Sequence, residues 1–146
     1  MVRNIPIKYT EKMLLEEIEP FKGKFDCLYL PYDFEKGGNK GYAFINFIHP
    51  YHILLFYDIF QNKTWLRFES KKICELNVAN FQGINEIQKH AKNYKGLKKP
   101  IFFSGLDPQK NLEIPIKHLD TIQKRFPKMT YTEKKENKTF LVKSLY

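Results

Sequence analysis

The sequence predicts an α+β fold in which a four-stranded antiparallel sheet carries two helices on one face. Its elements follow in the order strand, helix, strand, strand, helix, strand, within about the first 80 residues. Three observations predict it. Leu14, Leu15, Ile18 and Phe21, and later Ile53, Phe56, Tyr57 and Phe60, recur at helical spacing. Short apolar and aromatic runs, each bounded by Gly, Pro or Asn, precede and follow those segments. Ala43, Ile45 and Phe47 alternate with Tyr42, Phe44 and Asn46, so one strand presents large apolar groups on both faces.

Met1 to Ile5 (MVRNI) is the first strand, closed by Pro6. Thr10 is a good N-cap with Glu11 in the first turn, which starts a helix that Pro20 and Gly23 end. Phe25 to Pro31 (FDCLYLP) reads as the second strand, Tyr32 to Lys40 as a polar loop, and Gly41 to Ile48 as the third strand. Pro50 near a first turn opens the second helix, with Ile53, Phe56, Tyr57 and Phe60 as its inner stripe. Asn62 and Lys63 turn the chain, and Ile73 to Ala79 (ICELNVA) is the fourth strand. This is the ferredoxin-like β-α-β-β-α-β sandwich, and residues 1–83 are expected to form it. Both helices cover the face of Ala43, Ile45 and Phe47, which leaves the other face open to a ligand or to a later segment.

Beyond it, Ile84, Ile87, Ala91 and Tyr94 form a third amphipathic stripe, and KKPIFF (98–103) is an extended segment, so 84–103 is a distinct extension. Residues 104–146 make a basic C-terminal part with a loop at 106–113 and a helix marked by Ile116, Leu119, Ile122 and Phe126. A solvated run follows at 132–138, and a last strand or docking segment at 140–146. The extension as a whole is expected to be mainly helical. The net charge of +9 is unevenly spread. Residues 1–82 hold 11 Lys and Arg against 10 Asp and Glu, whereas residues 83–146 hold 14 against 6. A basic segment of this kind fits a polyanionic partner.

No apolar run approaches the roughly 18 residues of a membrane span, and the N-terminus lacks an apolar signal stretch. Cys27 and Cys74 form neither a disulfide framework nor a zinc pattern and read as reduced core thiols of an intracellular protein, nuclear or cytoplasmic. GGNKGY lacks the spacing of a phosphate loop. His49 and His52 lack further ligands at metal spacing and read as surface or capping residues. With no nucleophilic triad or carboxylate pair, the expectation is a binding protein, with no catalytic residues, cofactor, metal or small-molecule substrate.

KGYAFINF (40–47) matches the octamer K/R-G-F/Y-G/A-F-V-x-F/Y of RNA-binding sheets at every position, with Ile for Val. Lys40 supplies charge for a phosphate, Gly41 lets the backbone leave the loop, and Tyr42 and Phe44 offer stacking platforms. The companion motif on the neighbouring strand is aliphatic, aromatic, aliphatic, any, Asn, Leu. Val2, Arg3, Asn4 and Ile5 fit its last four positions, and Met1 stands in the aromatic place, where a thioether lies more softly against a base. Stacking is worth about 1–3 kcal/mol per base. Two rings therefore fall short of the roughly 8 kcal/mol of a micromolar complex. Edge contacts by Arg3, Asn46, Asn77 and Gln82, and phosphate contacts by the basic extension, are expected to supply the rest.

Three stretches narrow the likeness: RNIPIKYTEKMLLEEI, FDCLYLPYDFEKGGNKGYAFINF, and W-x-x-F-x-S-K-K-I-C-E-L-N-V-A-N-F-Q-G (65–83). Together they resemble the C-terminal RNA-recognition domain of the Mei-two-like meiosis and developmental regulators, over roughly residues 1–95. The resemblance implies an RNA-binding regulator, while the octamer itself points to single-stranded RNA as the partner, with other ribonucleoprotein subunits as candidate further partners. The rival reading is a protein-interaction or structural ribonucleoprotein subunit whose sheet face is covered by the helix at Ile84, Ile87, Ala91 and Tyr94. Trp65 is expected in the core or at its edge, and the adjacent Arg67 and Phe68 do not form the Arg-x-Phe pattern of peptide-binding relatives.

Overall fold

The computed structural model describes residues 1–92, 98–106, 113–115, 130–134 and 139–144, with side chains described in the first two spans. Strand β1 (Val2–Arg3) is followed by helix α1 (Glu11–Glu17), and Thr10 caps that helix by accepting the Met13 N–H at 3.2 Å. Leu14, Ile18 and Phe21 carry the apolar stripe into the core, the last of them from the 3-10 turn Glu19–Phe21 that contains Pro20. Strands β2 (Phe25–Tyr29), β5 (Tyr42–Phe47) and β6 (Glu75–Leu76) and helix α2 (Pro50–Phe60) complete the expected order.

A further strand, β7 (Ile101–Phe102), comes from the KKPIFF segment, so the sheet has five strands rather than four, ordered β6-β1-β5-β2-β7. β7 pairs antiparallel with β2, setting Cys27 opposite Phe102 and Leu28 opposite Ile101. This addition buries an edge that would otherwise expose unpaired backbone. The loop at 32–40 is itself ordered, as a small hairpin of β3 (Tyr32–Asp33) and β4 (Gly38–Asn39). A Cβ on Gly38 would lie 2.7 Å from the Ile7 carbonyl oxygen, so that backbone approach requires glycine.

The core lies between the sheet and the two helices and contains Val2, Ile5, Leu14, Ile18, Phe21, Phe25, Leu28, Ala43, Phe56 and Phe60. Phe21 sits at its centre, edge-on to Phe56 at 5.0 Å and to Phe47 at 6.1 Å. Trp65 belongs to the same cluster, and both cysteines are buried and free, as expected.

Two expectations for α2 need correction. Ile53 is exposed, while Tyr51, His52, Leu54, Phe56 and Phe60 are buried. Phe56 and Phe60 of the predicted stripe are buried and stack face to face at 4.3 Å, and the buried side extends from them toward Tyr51, His52 and Leu54 rather than Ile53. His49 does cap the helix, its Nδ1 accepting the Tyr51 N–H at 3.0 Å, but it is buried, and His52 is buried rather than at the surface.

Helix α3 (Ile84–Lys92) follows Gly83 as the third stripe predicts; Tyr94 lies outside the described residues. The C-terminal part is not mainly helical where it is described. Glu113–Pro115 (β8), Thr130–Lys134 (β9) and Thr139–Ser144 (β10) form a three-stranded antiparallel sheet ordered β8-β10-β9. Alternating polar and β-branched residues such as Thr130, Thr132 and Thr139 favour pairing there. The final strand expected at 140–146 is thus met by β10, while β9 takes the start of the run at 132–138 into a strand. The predicted helix through Ile116 and Phe126 lies outside the described residues.

Candidate nucleic-acid interface

Register decides which side chains reach the open face. Val2 pairs with Ala43 and Arg3 with Tyr42, and Ala43 is fully buried. Tyr42, Phe44 and Asn46 therefore point away from the helices, as does Arg3. On β2, Leu28 pairs with Ile45 on the core side, while Tyr29 pairs with Phe44 and Cys27 with Asn46 on the open side. A bulge at Asp26 shifts the register between Phe25 and Cys27, so Phe25 can enter the core while its near neighbour Cys27 faces the other way.

The result is a three-ring floor. Phe44 lies parallel to Tyr29, with centroids 6.4 Å apart and planes 14° apart, and edge-on to Tyr42 at 5.7 Å. Tyr29 was not singled out in the sequence. Its signal was present, since FDCLYLP alternates, but only the pairing with Phe44 places it on this face. All three rings are half-buried.

The loop before β5 is fastened by a residue that sequence reasoning assigned to a polar turn. Asn39 is buried and donates from Nδ2 to the carbonyls of Pro6 at 2.8 Å and of Ile7 and Tyr9 at 3.0 Å each. Its Oδ1 accepts the Gly41 N–H at 2.7 Å. Gly41 itself has φ +84°, a turn that points the exposed Lys40 outward immediately before the ring pair.

The other predicted residues fall into two groups. Met1, Asn46, Asn77 and Gln82 line one cavity of about 810 Å³ together with Tyr29 and Phe44. Met1 and Asn77 are joined through their backbones, with Asn77 N–H to Met1 O at 2.9 Å and the α-amino group to Asn77 O at 2.7 Å. Desolvation lowers the pKa of that amino group below 8.0. Gln82 folds back, its Nε2 donating to Ala79 O at 2.5 Å. Arg3 and Lys40 do not line the cavity; Arg3 lies 4.0 Å from Glu75, with both side chains half-exposed.

The far wall of the cavity comes from the extension. Phe81, Ile87, His90 and Ala91 line it, with Phe81 and His90 rings only 3.8 Å apart. Cys27 is 2% exposed although it faces the open side, with Phe102 of β7 paired opposite it. Burial and the neighbouring Asp26 push its thiol up to about 12, so it is no reactive thiolate. Helix α3 thus shares one cavity with Tyr29 and Phe44. The cavity also runs past Met1 to Ile53 and Tyr57 of α2. Among the described residues no group of three metal-ligating side chains occurs, and no helix is long and apolar enough to cross a membrane.

Comparison with known proteins bears on this arrangement. The family profile described as RNA recognition motif 2 matches residues 1–92. Protein MEI2-like 2 of Oryza sativa subsp. japonica is 42% identical over 121 residues, which are 79% of this chain and 14% of that protein. Protein MEI2-like 4 of Arabidopsis thaliana is 39% identical over 131 residues, 86% of this chain and 14% of that protein. Protein MEI2-like 1 of Arabidopsis thaliana is 48% identical over 94 residues, 64% of this chain and 10% of that protein. The chain spans a small part of the length of these relatives. An open sheet face floored by rings, on the strand order of this fold, agrees with the family match: the chain belongs to the RNA recognition motif 2 family, in its Mei2-like branch.

Proposed function

We propose that the chain binds single-stranded RNA by laying unpaired bases on Tyr42, Phe44 and Tyr29, and that it acts as a binding protein rather than an enzyme, inside the cell. The observation that carries this is the parallel Tyr29–Phe44 pair beside Tyr42, half-exposed on the face that α1 and α2 leave uncovered. Rings of this kind accept any base through its π-face, and a duplex, whose bases are stacked already, cannot use them. Met1, Asn46, Asn77 and Gln82 surround the floor with groups able to meet base edges. Lys40 and Arg3, outside the cavity, are placed to meet the backbone that leaves it.

The test is titration of the whole chain with short single-stranded RNAs at two salt concentrations. Replacing both Tyr42 and Phe44 with Ala is expected to weaken binding at least about tenfold, less than the roughly 2 kcal/mol that two stacking contacts supply at their weakest. An unchanged dissociation constant in a folded double variant sinks the sheet-face reading.

The basic C-terminal part supports a second contribution, because residues 1–82 are nearly neutral. Removing residues 104–146 leaves every member of the core cluster in place. Affinity should fall and the salt dependence flatten, by about 0.7 in logarithmic slope for each phosphate those residues neutralise on a single strand. An identical slope without those residues assigns the charge another purpose.

The rival, a protein-interaction surface with the sheet covered, finds support in α3 but also a limit. Ile87 and Ala91 do share the cavity with Phe44, yet Phe44 and Tyr42 remain half-exposed and the cavity stays open to the size of a small ligand. The geometry favours a wall beside a binding face over a cap across it.

A further inference from the structure

A carboxylate on a face that receives RNA needs a reason. Phosphates repel it, and an ionised carboxylate can only accept hydrogen bonds. Asp26 is such a group. The β2 bulge sets it next to Asn46, whose Nδ2 donates to its Oδ1 at 2.7 Å. Asn46 lies two residues beyond Phe44 on the same face of β5, about 7 Å along the strand. The pair therefore stands at the end of the aromatic floor, one base width from the stacking rings.

Its hydrogen bonding is incomplete in a specific way. Donation to Asp26 uses the Asn46 amide nitrogen and fixes that side chain, which leaves the Asn46 Oδ1 and Asp26 Oδ2 without a side-chain donor among the described residues. Asp26 is half-buried and lines a second cavity of about 290 Å³, with Gln88 of α3 and Phe102 of β7. Burial raises its carboxyl pKa above 3.8, and hydrogen bonds from Asn46 and from its own backbone N–H only partly oppose that. A ligand that brings donors would replace the lost hydration.

Resting on the sheet-face reading of RNA binding, we infer that Asp26 and Asn46 form a guanine-selective base pocket at the end of the Tyr29–Phe44 floor. Of the four RNA bases only guanine carries two neighbouring donors on its Watson–Crick edge, the N1–H and the N2 amino group. They match adjacent acceptors on a carboxylate and the Asn46 Oδ1. Adenine and cytosine offer one amino group beside an acceptor, and uracil one N–H between two acceptors; each would set a lone pair against the carboxylate. A carboxylate is thus tolerable here because it rejects three bases more than it repels phosphate.

The experiment uses the whole chain and oligouridine RNAs that carry one central guanosine, adenosine, cytidine or inosine. Guanosine is expected to bind at least about tenfold more tightly than adenosine. Inosine, which lacks only the N2 amino group, should lose most of that gain, and this arm reads the interaction without altering the protein. Asp26→Asn should abolish the guanosine preference, and affinity for plain oligouridine should not fall, since stacking is untouched and a carboxylate that repels phosphate and uracil is gone. Asn46→Ala, which leaves the carboxylate in place, should reduce the preference less. Equal binding of guanosine and adenosine by the unaltered chain overturns the pocket while leaving RNA binding intact. So does a preference that survives in folded Asp26→Asn. Failure of every oligonucleotide to bind overturns the sheet-face reading itself.

Discussion

Asn39→Ala is expected to destabilise the fold by about 3–5 kcal/mol, a large share of the 5–15 kcal/mol that holds a domain of this size together. The side chain makes four hydrogen bonds to the backbone of two separate segments. After truncation the Pro6 carbonyl still accepts the Tyr9 N–H and the Ile7 carbonyl still accepts the Asn39 N–H. The Tyr9 carbonyl and the Gly41 N–H are deprived of the partner Asn39 gives them, and each such deprivation in a buried place costs about 1–3 kcal/mol. Asn39→Asp should be at least as damaging. It keeps the acceptor for Gly41 but turns a carboxylate toward three carbonyl oxygens. Urea unfolding measures both. A shift within about 0.5 kcal/mol, the usual range for a surface turn residue, would show that this clasp does not hold the β1–α1 loop to the hairpin.

Acidification between pH 6.5 and about 4 is expected to destabilise the protein through His49 and His52. Burial lowers both to about 4, helped for His49 by His52 and for His52 by Lys24. In the unfolded chain each binds a proton near pH 6.5; in the folded chain each stays neutral until about pH 4. Within that window the unfolded state holds more protons, so stability falls as pH falls. Each histidine adds a slope of about 1.4 kcal/mol per pH unit. The geometry gives the reason. His49 Nδ1 must stay unprotonated to accept the Tyr51 N–H, and its Nε2 and the Nδ1 of His52 are buried without a hydrogen-bond partner among the described residues. A charge on either ring would have no compensation, with the two rings 6.0 Å apart. Asp26, with its raised carboxyl pKa, acts in the opposite direction as pH approaches 3.8. His49→Asn keeps a capping acceptor without a proton to bind and should flatten the slope by about one histidine's worth. Urea midpoints that do not move between neutral pH and pH 5 would refute the account.

The order of elements could be read from the sequence because each rests on local signals. Thr10 with Glu11 starts α1, Pro50 starts α2, and Gly41 frees the turn into β5. The face of the ring pair was legible too, since the alternation Tyr42, Ala43, Phe44, Ile45 admits only two registers and Ala43 must go inward. Ile53 was misread because an α2 with apolar residues on most sides gives no unique stripe. The C-terminal part misled for a related reason: helical spacing at Ile116 to Phe126 says nothing about the strands on either side of it.

The sequence by itself determined the fold class, the octamer at 40–47 and the two side chains, Tyr42 and Phe44, that put rings on the open face. These follow from periodicity and residue type, which act over a few neighbouring residues. Only the tertiary structure decided that Tyr29 joins them, that Asp26 turns beside Asn46, that Asn39 is a buried clasp, and that α3 walls the face without closing it. Each of those depends on pairing between residues about 15 to 60 positions apart, where a bulge or a rotated helix moves a side chain from one face to the other. No local pattern carries that information, because the competing placements differ only in which distant backbone group or ring they meet.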